Sequence, residues 1–376
     1  MTYQDTVPTH LLAYITAVLP WAHGHQCKGI TTFVAAILEK QTGIQAELAR
    51  GLGNQEAAVK RLSRLLHNER LAPHRLADAV LAQALRQVPA KGKVRLAIDW
   101  TMEGEQHLLV VSLVTGGRAV PIYWRAYAAT VLKGRMRRYE MAVIRRALTR
   151  VQQAISQRRV IVTADRGFAD VALVEVFTAL GVEFLIRVQG STKVCVQGQW
   201  RKLNSLAFAG NARQRNLGRV AYCESSPHRL WVTRSRARDR HGKWGIWSLI
   251  SNRPHRAIGA AAEYSRRFGC EQGFRDAKWE LGFAQARLQD SHAWSRLFAL
   301  FALAMLVVVS LGVKLLVRGG AAAVGLLRRV ASRQRGRWDL SVFSAMVSLL
   351  RDDKSLFAQL SPRIILDLEA SLANVS

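Results

Sequence analysis

At Val94 the period of the apolar residues changes, and no other feature of this 376-residue chain constrains its fold as tightly. Before that point apolar residues recur at helical spacing through 30–38, 44–48 and 58–66. Gly43 and Gly51-Leu52-Gly53 punctuate these into short helices, with Asn54 as N-cap of the third. After Lys91-Gly92-Lys93 the residues 94–98, 107–115 and 119–124 read as strands, and Gly116-Gly117 suits a hairpin turn. A helix over 137–155, a short buried strand over 160–164, a helix over 171–180 and a strand over 182–187 follow. Three strands, then helix, strand, helix and strand, predict a mixed α/β sheet.

From Gly190 to Arg256 no helix is evident, and 193–196, 219–223, 229–233 and 245–250 read as strands. This is a β-rich insertion between the fifth strand and a later helix. It carries Trp200, Trp231, Trp244 and Trp247 among many arginines, a mixture suited to stacking on unpaired bases and equally to the core of a small sheet. Spacing does not choose among the four. Helices are expected beyond Lys278, interrupted at Gly319-Gly320, with apolar stripes over 342–350 and 356–368 as candidates for a contact between two chains. The 17 uncharged residues 297–313 approach the lower limit for a membrane span. Flanked by Arg296 and Lys314, they read as a core helix, and no membrane association is expected. The expected organisation is a helical domain over 1–90, a mixed-sheet core over 91–189 and 258–318, the β-rich insertion over 190–257, and a helical region over 319–376.

Lys and Arg total 55 against 26 acids, a formal charge of +29. An excess of that size calls for a polyanionic partner, and nucleic acid is the usual one. A ribosome-associated protein or a basic membrane-surface protein would share it. The charge is dispersed: 133–159 holds nine basic residues against the single acid Glu140, and 201–256 holds thirteen against Glu224 and Asp239. Nucleic acid would therefore touch several regions. The cysteines, Cys27, Cys195, Cys223 and Cys270, lack paired C-x-x-C spacing, which argues against a zinc site or a disulfide framework and for a reduced, cytoplasmic setting. Met1 to Asp5 lack the basic-then-apolar order of a signal peptide. No Gly-rich phosphate loop points to an ATP-driven reaction.

The candidate chemistry lies in three separated acids. Asp99 closes the first strand, Asp165 closes the fourth, and Glu271 sits in the pattern Tyr264, Arg267, Glu271, Lys278. At about 100° per residue those four fall within roughly 60° on one helix face. An acid between two cations and a phenol suits a metal ion held beside a phosphodiester. Two divalent ions can activate the attacking oxygen and stabilise the leaving one, and carboxylates are the ligands that suit Mg²⁺. In that scheme Asp99 bridges two Mg²⁺ ions, Asp165 holds one and Glu271 the other, with Mn²⁺ as a substitute.

These residues carry a resemblance. The chain resembles the DDE transposases of bacterial insertion sequences, specifically the insertion-sequence-four group. Its signature is Tyr, two residues, Arg, three residues, Glu, six residues, Lys, which Tyr264, Arg267, Glu271 and Lys278 match without a gap. Asp99-Trp100-Thr101 is similar to the group's first-aspartate motif and Asp165-Arg166-Gly167-Phe168 to its second, with spacings of 66 and 106 residues that leave room for an insertion. The resemblance covers about residues 90–310. It implies a ribonuclease H-like mixed sheet with a β-rich insertion, whose first and fourth strands are neighbours, so that Asp99 and Asp165 meet at one sheet edge. An N-terminal all-helical DNA-binding domain and C-terminal helices complete that fold class. It also implies that Tyr264 and Arg267 bind phosphate near a transposon end, that Lys278 binds one beside the scissile bond, and that Arg166 adds a contact. Trp247 and Phe268 occupy places comparable to aromatics that surround a flipped base in some relatives. The implied partners are double-stranded DNA with terminal inverted repeats, target DNA, and a second copy of the chain on paired ends. A catalytically inactive DNA-binding derivative and a ribonuclease H-like nuclease are the alternative functions.

Overall fold

The computed structural model describes residues 8–115, 118–155, 159–225, 228–239, 242–334 and 337–366. The Gly116-Gly117 turn, the signal-peptide reading at 1–5 and the end of the 356–368 stripe lie outside them. The chain opens with helices α1 (Thr9–Val18), α2 (Gly24–Lys40), α3 (Gln45–Ala49), α4 (Gln55–Leu66) and α5 (Pro73–Arg86). The Asn54 side chain accepts from the Ala57 N–H at 2.9 Å and so caps α4. Then come β1 (Val94–Glu103), β2 (Gln106–Thr115), β3 (Arg118–Ala128), α6 (Ala129–Leu132), α7 (Met136–Ile155), β4 (Val160–Ala164), α8 (Val171–Ala179) and β5 (Glu183–Val188). The β-rich stretch supplies β6 (Lys193–Val196), β7 (Gln199–Lys202), β8 (Gln214–Tyr222), β9 (His228–Arg238) and β10 (Trp244–Ser251). The chain finishes with α9 (Ala257–Ser265), α10 (Phe268–Arg275), α11 (Ser291–Leu311), α12 (Ala321–Arg328), the short hairpin β11 (Arg333–Gln334) and β12 (Arg337–Trp338), and α13 (Val342–Asp352).

The strands β1 to β10 form one mixed sheet in the order β3-β2-β1-β4-β5-β10-β9-β8-β6-β7. Among its described pairings β1 with β4 and β4 with β5 are parallel, and the rest are antiparallel. The strands expected from the sequence are present, several of them longer, and β7 is additional. Because β10 pairs with β5, the β-rich stretch extends the sheet of β1 to β5.

Side chains alternate across a strand, so each face of the sheet can be read from its parity. Leu96, Ile98, Val162 and Ala164 face a core shared with Ile144 and Leu148 of α7 and Phe177 of α8. Ala97 turns the other way, to Cys270 of α10, while Ile161 meets Tyr264 of α9. Asp99 has the parity of Ala97, and Asp165 that of Ile161. Both carboxylates therefore project on the α9/α10 side.

Helix α11 is apolar around its whole circumference because protein surrounds it. Residues Ala293 to Leu311 are all buried, against α2, α5, β3 and α13. The helical stretch Ser291–Val317 is long and apolar enough to cross a membrane by composition, yet 83% of its apolar window is buried within the protein. The N-terminal helices contribute to the same core: Leu11, Ile30, Phe33, Leu62 and Val80 belong to one cluster with Leu300 and Leu303. Cutting the chain at Lys91 would strip that cover from α11, so surface substitutions probe the first helices better than truncation does.

One buried ionic cluster predicts acid sensitivity. Glu183, at the start of β5, is 3% exposed and pairs with Arg159 and, at 2.9 Å, with the His255 ring. Burial pushes its carboxyl up, but His255 and Arg159 outweigh burial and bring it down to about 2 from an ordinary 4.5. A lowered carboxyl stabilises the fold fully above its unfolded value and loses that contribution as pH falls toward the folded one. Glu183→Gln should cost about 1–3 kcal/mol at neutral pH. It should also flatten the decline in stability between about pH 4.5 and 2, read by denaturant melts across that range.

Candidate active site

The parallel register of β1 and β4 ends at Ile98 opposite Ala164. The next residue on each strand is an aspartate, so Asp99 and Asp165 emerge side by side where the two strands part. Beyond this point β1 continues to Glu103 paired only with β2. The fork opens at the carboxyl ends of parallel strands, where open α/β sheets collect their ligands. Asp165 then caps a 3₁₀ turn, Arg166–Phe168, by accepting from the Gly167 N–H at 2.8 Å.

Arg267 connects the first aspartate to the glutamate. Its guanidinium donates to Asp99 Oδ2 at 2.7 Å and to Glu271 Oε1 at 3.1 Å, and the residue is 7% exposed. Its Nε is buried with no hydrogen-bond partner among the described residues. Burial raises the Asp99 carboxyl to about 6, Asp165 pushes the same way, and Arg267 pulls against both. Burial also opposes the charge on Arg267, but Tyr264, Asp99, Cys270 and Glu271 together hold its pKa above the ordinary value.

Tyr264, Arg267, Glu271 and Lys278 do not share one helix. Helix α9 ends at Ser265, and around residues 266–267 the chain tightens into i→i−3 bonds, Arg267 to Tyr264 and Cys270 to Arg267. It loosens again into a π turn over Asp276–Glu280. The π turn is anchored by Asp276, 2% exposed, against Arg118 of β3. These two departures from 100° per residue change the phases on which the single-face expectation rested. Tyr264 is 1% exposed and packs edge-on against Trp247 at 5.4 Å. Lys278 turns to the end of β1, with Nζ 2.5 Å from Glu103 Oε1 and 3.1 Å from the Met102 carbonyl oxygen.

The aromatics divide by strand parity. Trp247 is 2% exposed, enclosed by Tyr264, Phe268 and the Arg187 guanidinium, so its ring faces are covered. Trp244, three residues earlier on β10, lies on the opposite face and is 52% exposed, with Arg238 4.7 Å and Arg213 6.0 Å from its ring centre. Ile246 follows on that face at 49% exposure. Strand alternation was the signal that could have separated the two tryptophans. Arg166 is exposed and lines an open groove of about 490 Å³ with Arg187, Gln189, Ser191, Asn204 and Ile246.

Among the described residues no three His, Cys, Asp or Glu side chains converge closely enough to hold a metal ion as they stand. The cation between Asp99 and Glu271 is Arg267. The donor set nevertheless suits a divalent ion. It offers hard carboxylate oxygens, and Asp99 and Asp165 raise an electrostatic cost that a dication would relieve. Arg267, with one N–H unsatisfied, has a reason to turn toward another anion.

A family model described as "Transposase DDE domain" matches residues 131–307. The matched stretch includes Asp165 and everything from Tyr264 to Lys278, and begins after Asp99. That stretch is therefore similar to transposase DDE domains. No curated protein matches the chain.

Proposed function

We propose that the chain is a cut-and-paste transposase of the insertion-sequence-four group, which cleaves strands at transposon ends and transfers them into target DNA. The observation that carries this reading is the convergence of Asp99, Asp165 and the Arg267–Glu271 pair on one face of the sheet. The strand order β3-β2-β1-β4-β5, with β1, β4 and β5 parallel, supports a ribonuclease H-like core. Two Mg²⁺ ions, when bound, would supply Lewis acidity at the attacking and leaving oxygens. Asp99, Asp165 and Glu271 are the residues that would hold them. Arg267 would exchange its carboxylates for a DNA phosphate, and Lys278, already at the end of β1, would take a neighbouring one. Arg166 and the groove beside it would receive further backbone.

In this reading residues 1–90 recognise a terminal inverted repeat, and two chains bring two ends together, one three-acid set per end. Two-fold symmetry between the chains is the economical arrangement. The test is cleavage of labelled DNA carrying the inverted repeats that flank the reading frame, with and without Mg²⁺. Strand cutting that requires the ion and maps to the repeat ends supports the reading. Tight end binding with no cutting in any divalent cation would instead favour a binding-only derivative.

Binding should also weaken steeply with salt, because arginines spread along the chain would release counterions from many phosphates. The slope of log affinity against log salt, from gel shifts between about 50 and 200 mM, should be strongly negative. A slope near zero would contradict dispersed phosphate contact.

A further inference from the structure

Glu140 is the single acid in the basic stretch 133–159, and the structure buries it to 3% exposure on α7. A buried carboxylate among arginines needs a reason, because its desolvation must be offset by hydrogen bonds. Its contacts form a circuit. The Trp100 indole Nε1 donates to Glu140 Oε1 at 2.7 Å, and the Trp100 backbone N–H donates to Asp99 Oδ1 at 3.0 Å. On the other side Arg137 donates through NH1 to Glu140 Oε2 at 2.5 Å and through NH2 to the Gly167 carbonyl oxygen at 3.0 Å. Gly167 in turn donates its N–H to Asp165 Oδ1 at 2.8 Å. Arg137 Nε lies 3.2 Å from Asp170 Oδ2, at the cap of α8, which fixes the fork at its third corner.

We propose that Glu140 and Arg137 are positioning residues that set the spacing of Asp99 and Asp165 by tying the Trp100 indole, after the first aspartate, and the Gly167 carbonyl, after the second, to the Arg137–Glu140 ion pair. This role rests on the reading of the two aspartates as metal ligands. Neither Glu140 nor Arg137 touches the reacting atoms. Asp99 and Asp165 lie one residue beyond the last β1–β4 pair, so the register of those two strands does not pair them with each other. The circuit closes that gap through side chains. Groups that orient metal ligands in this way typically contribute 10- to 100-fold in metal affinity or activity.

The test compares wild type with Glu140→Gln, which keeps the shape and the acceptor for Trp100 but loses the charge that holds Arg137. Arg137→Lys is the second variant; it sits on a partly exposed side chain and leaves the core intact. Trp100→Phe removes the indole N–H together with part of the ring volume, and because it also removes the tryptophan beside Asp99 its Tb³⁺ affinity is read by calorimetry. Three quantities are read: binding of Tb³⁺ to the protein alone by tryptophan-sensitised luminescence, the Mg²⁺ concentration giving half-maximal cleavage, and affinity for the DNA end. We expect Tb³⁺ binding to weaken and the Mg²⁺ midpoint to rise by about 10- to 100-fold in Glu140→Gln and Arg137→Lys, and by less in Trp100→Phe. End affinity should stay near wild type, and high Mg²⁺ should recover most of the maximal rate. Unchanged metal midpoints in both charge variants would overturn the role, as would losses that simply track melting temperature and end binding. Should the wild-type protein cut no DNA, the transposase reading falls, and the Tb³⁺ comparison alone still decides the positioning role.

Discussion

Asp99→Asn, Asp165→Asn and Glu271→Gln are each expected to remove strand cleavage while leaving affinity for the DNA end within about threefold of wild type. Each change keeps volume and hydrogen-bonding shape but deletes one anionic oxygen from the set that would hold the metal ions. Loss of such a ligand should reduce the rate by at least about a thousand-fold, equivalent to about 4 kcal/mol of transition-state stabilisation. End binding should survive because it draws on cations spread from residue 133 to residue 256. The measurement is single-turnover cleavage of a labelled end beside a gel shift on the same preparation. Chelation of divalent ions should reproduce the three variants in the wild-type protein. Near-normal cutting by one variant would remove that residue from the site.

The second large effect is expected at Gly273. Helix α10 lies directly on the β3 backbone: a Cβ at Gly273 would sit 2.3 Å from the Ala119 carbonyl oxygen, and one at Gly269 would sit 2.9 Å from that of Arg118. The two glycines stand one helical turn apart on the same face, with Glu271 between them. Gly273→Ala must push α10 away from the sheet, and overpacking of this kind costs about 1–3 kcal/mol, or more where the neighbour is backbone. The same shift would carry Glu271 and Arg267 away from Asp99, so cleavage should fall further than stability does. Gly325→Ala is the internal control. That glycine is also helical, exposed and open, with nothing within 4 Å of its added Cβ, so alanine there should stabilise by about 0.5–1 kcal/mol. Thermal melts of the two variants should move in opposite directions.

The sheet was readable because its strands alternate, pair locally and are bounded by turn residues, and the neighbouring of Asp99 and Asp165 follows once β1 and β4 are adjacent. Asp99 and Asp165 stood out as acids following short apolar runs on a basic chain; Asp165 does end its strand, whereas β1 runs on past Asp99 to Glu103. The helix phase was not readable, because it assumed ideal geometry through 264–278. The tightened turn at 266–267 and the π turn at 276–280 depend on packing against β3 and on the Asp276–Arg118 pair, contacts between residues 158 apart in the chain. Trp247 and Trp244 could not be told apart for a related reason. Four tryptophans in a β-rich stretch look alike in composition, and only the placement of α9 over one face of β10 decides which is enclosed. Glu140 was visible as an isolated acid, but nothing local to it announces a bond to the residue after Asp99.

The loop after α2 meets the turn before α11 backbone to backbone: a Cβ on Gly282 would lie 2.3 Å from the Gln41 carbonyl oxygen, and one on Gly43 would lie 2.8 Å from that of Gly282. Thr42 Oγ1 and Gln285 Oε1 lock the junction at 2.6 Å. Together with the shared apolar core, this contact makes the first 90 residues a poor candidate for exchange between related chains. A transplanted N-terminal segment would have to reproduce Thr42, Gly43 and the apolar surface that covers α11 at once. If residues 1–90 recognise DNA as proposed, a lineage carrying this architecture would therefore be expected to acquire new DNA preferences by drift of exposed side chains, such as Lys60 and Arg64 on α4, and not by shuffling of modules.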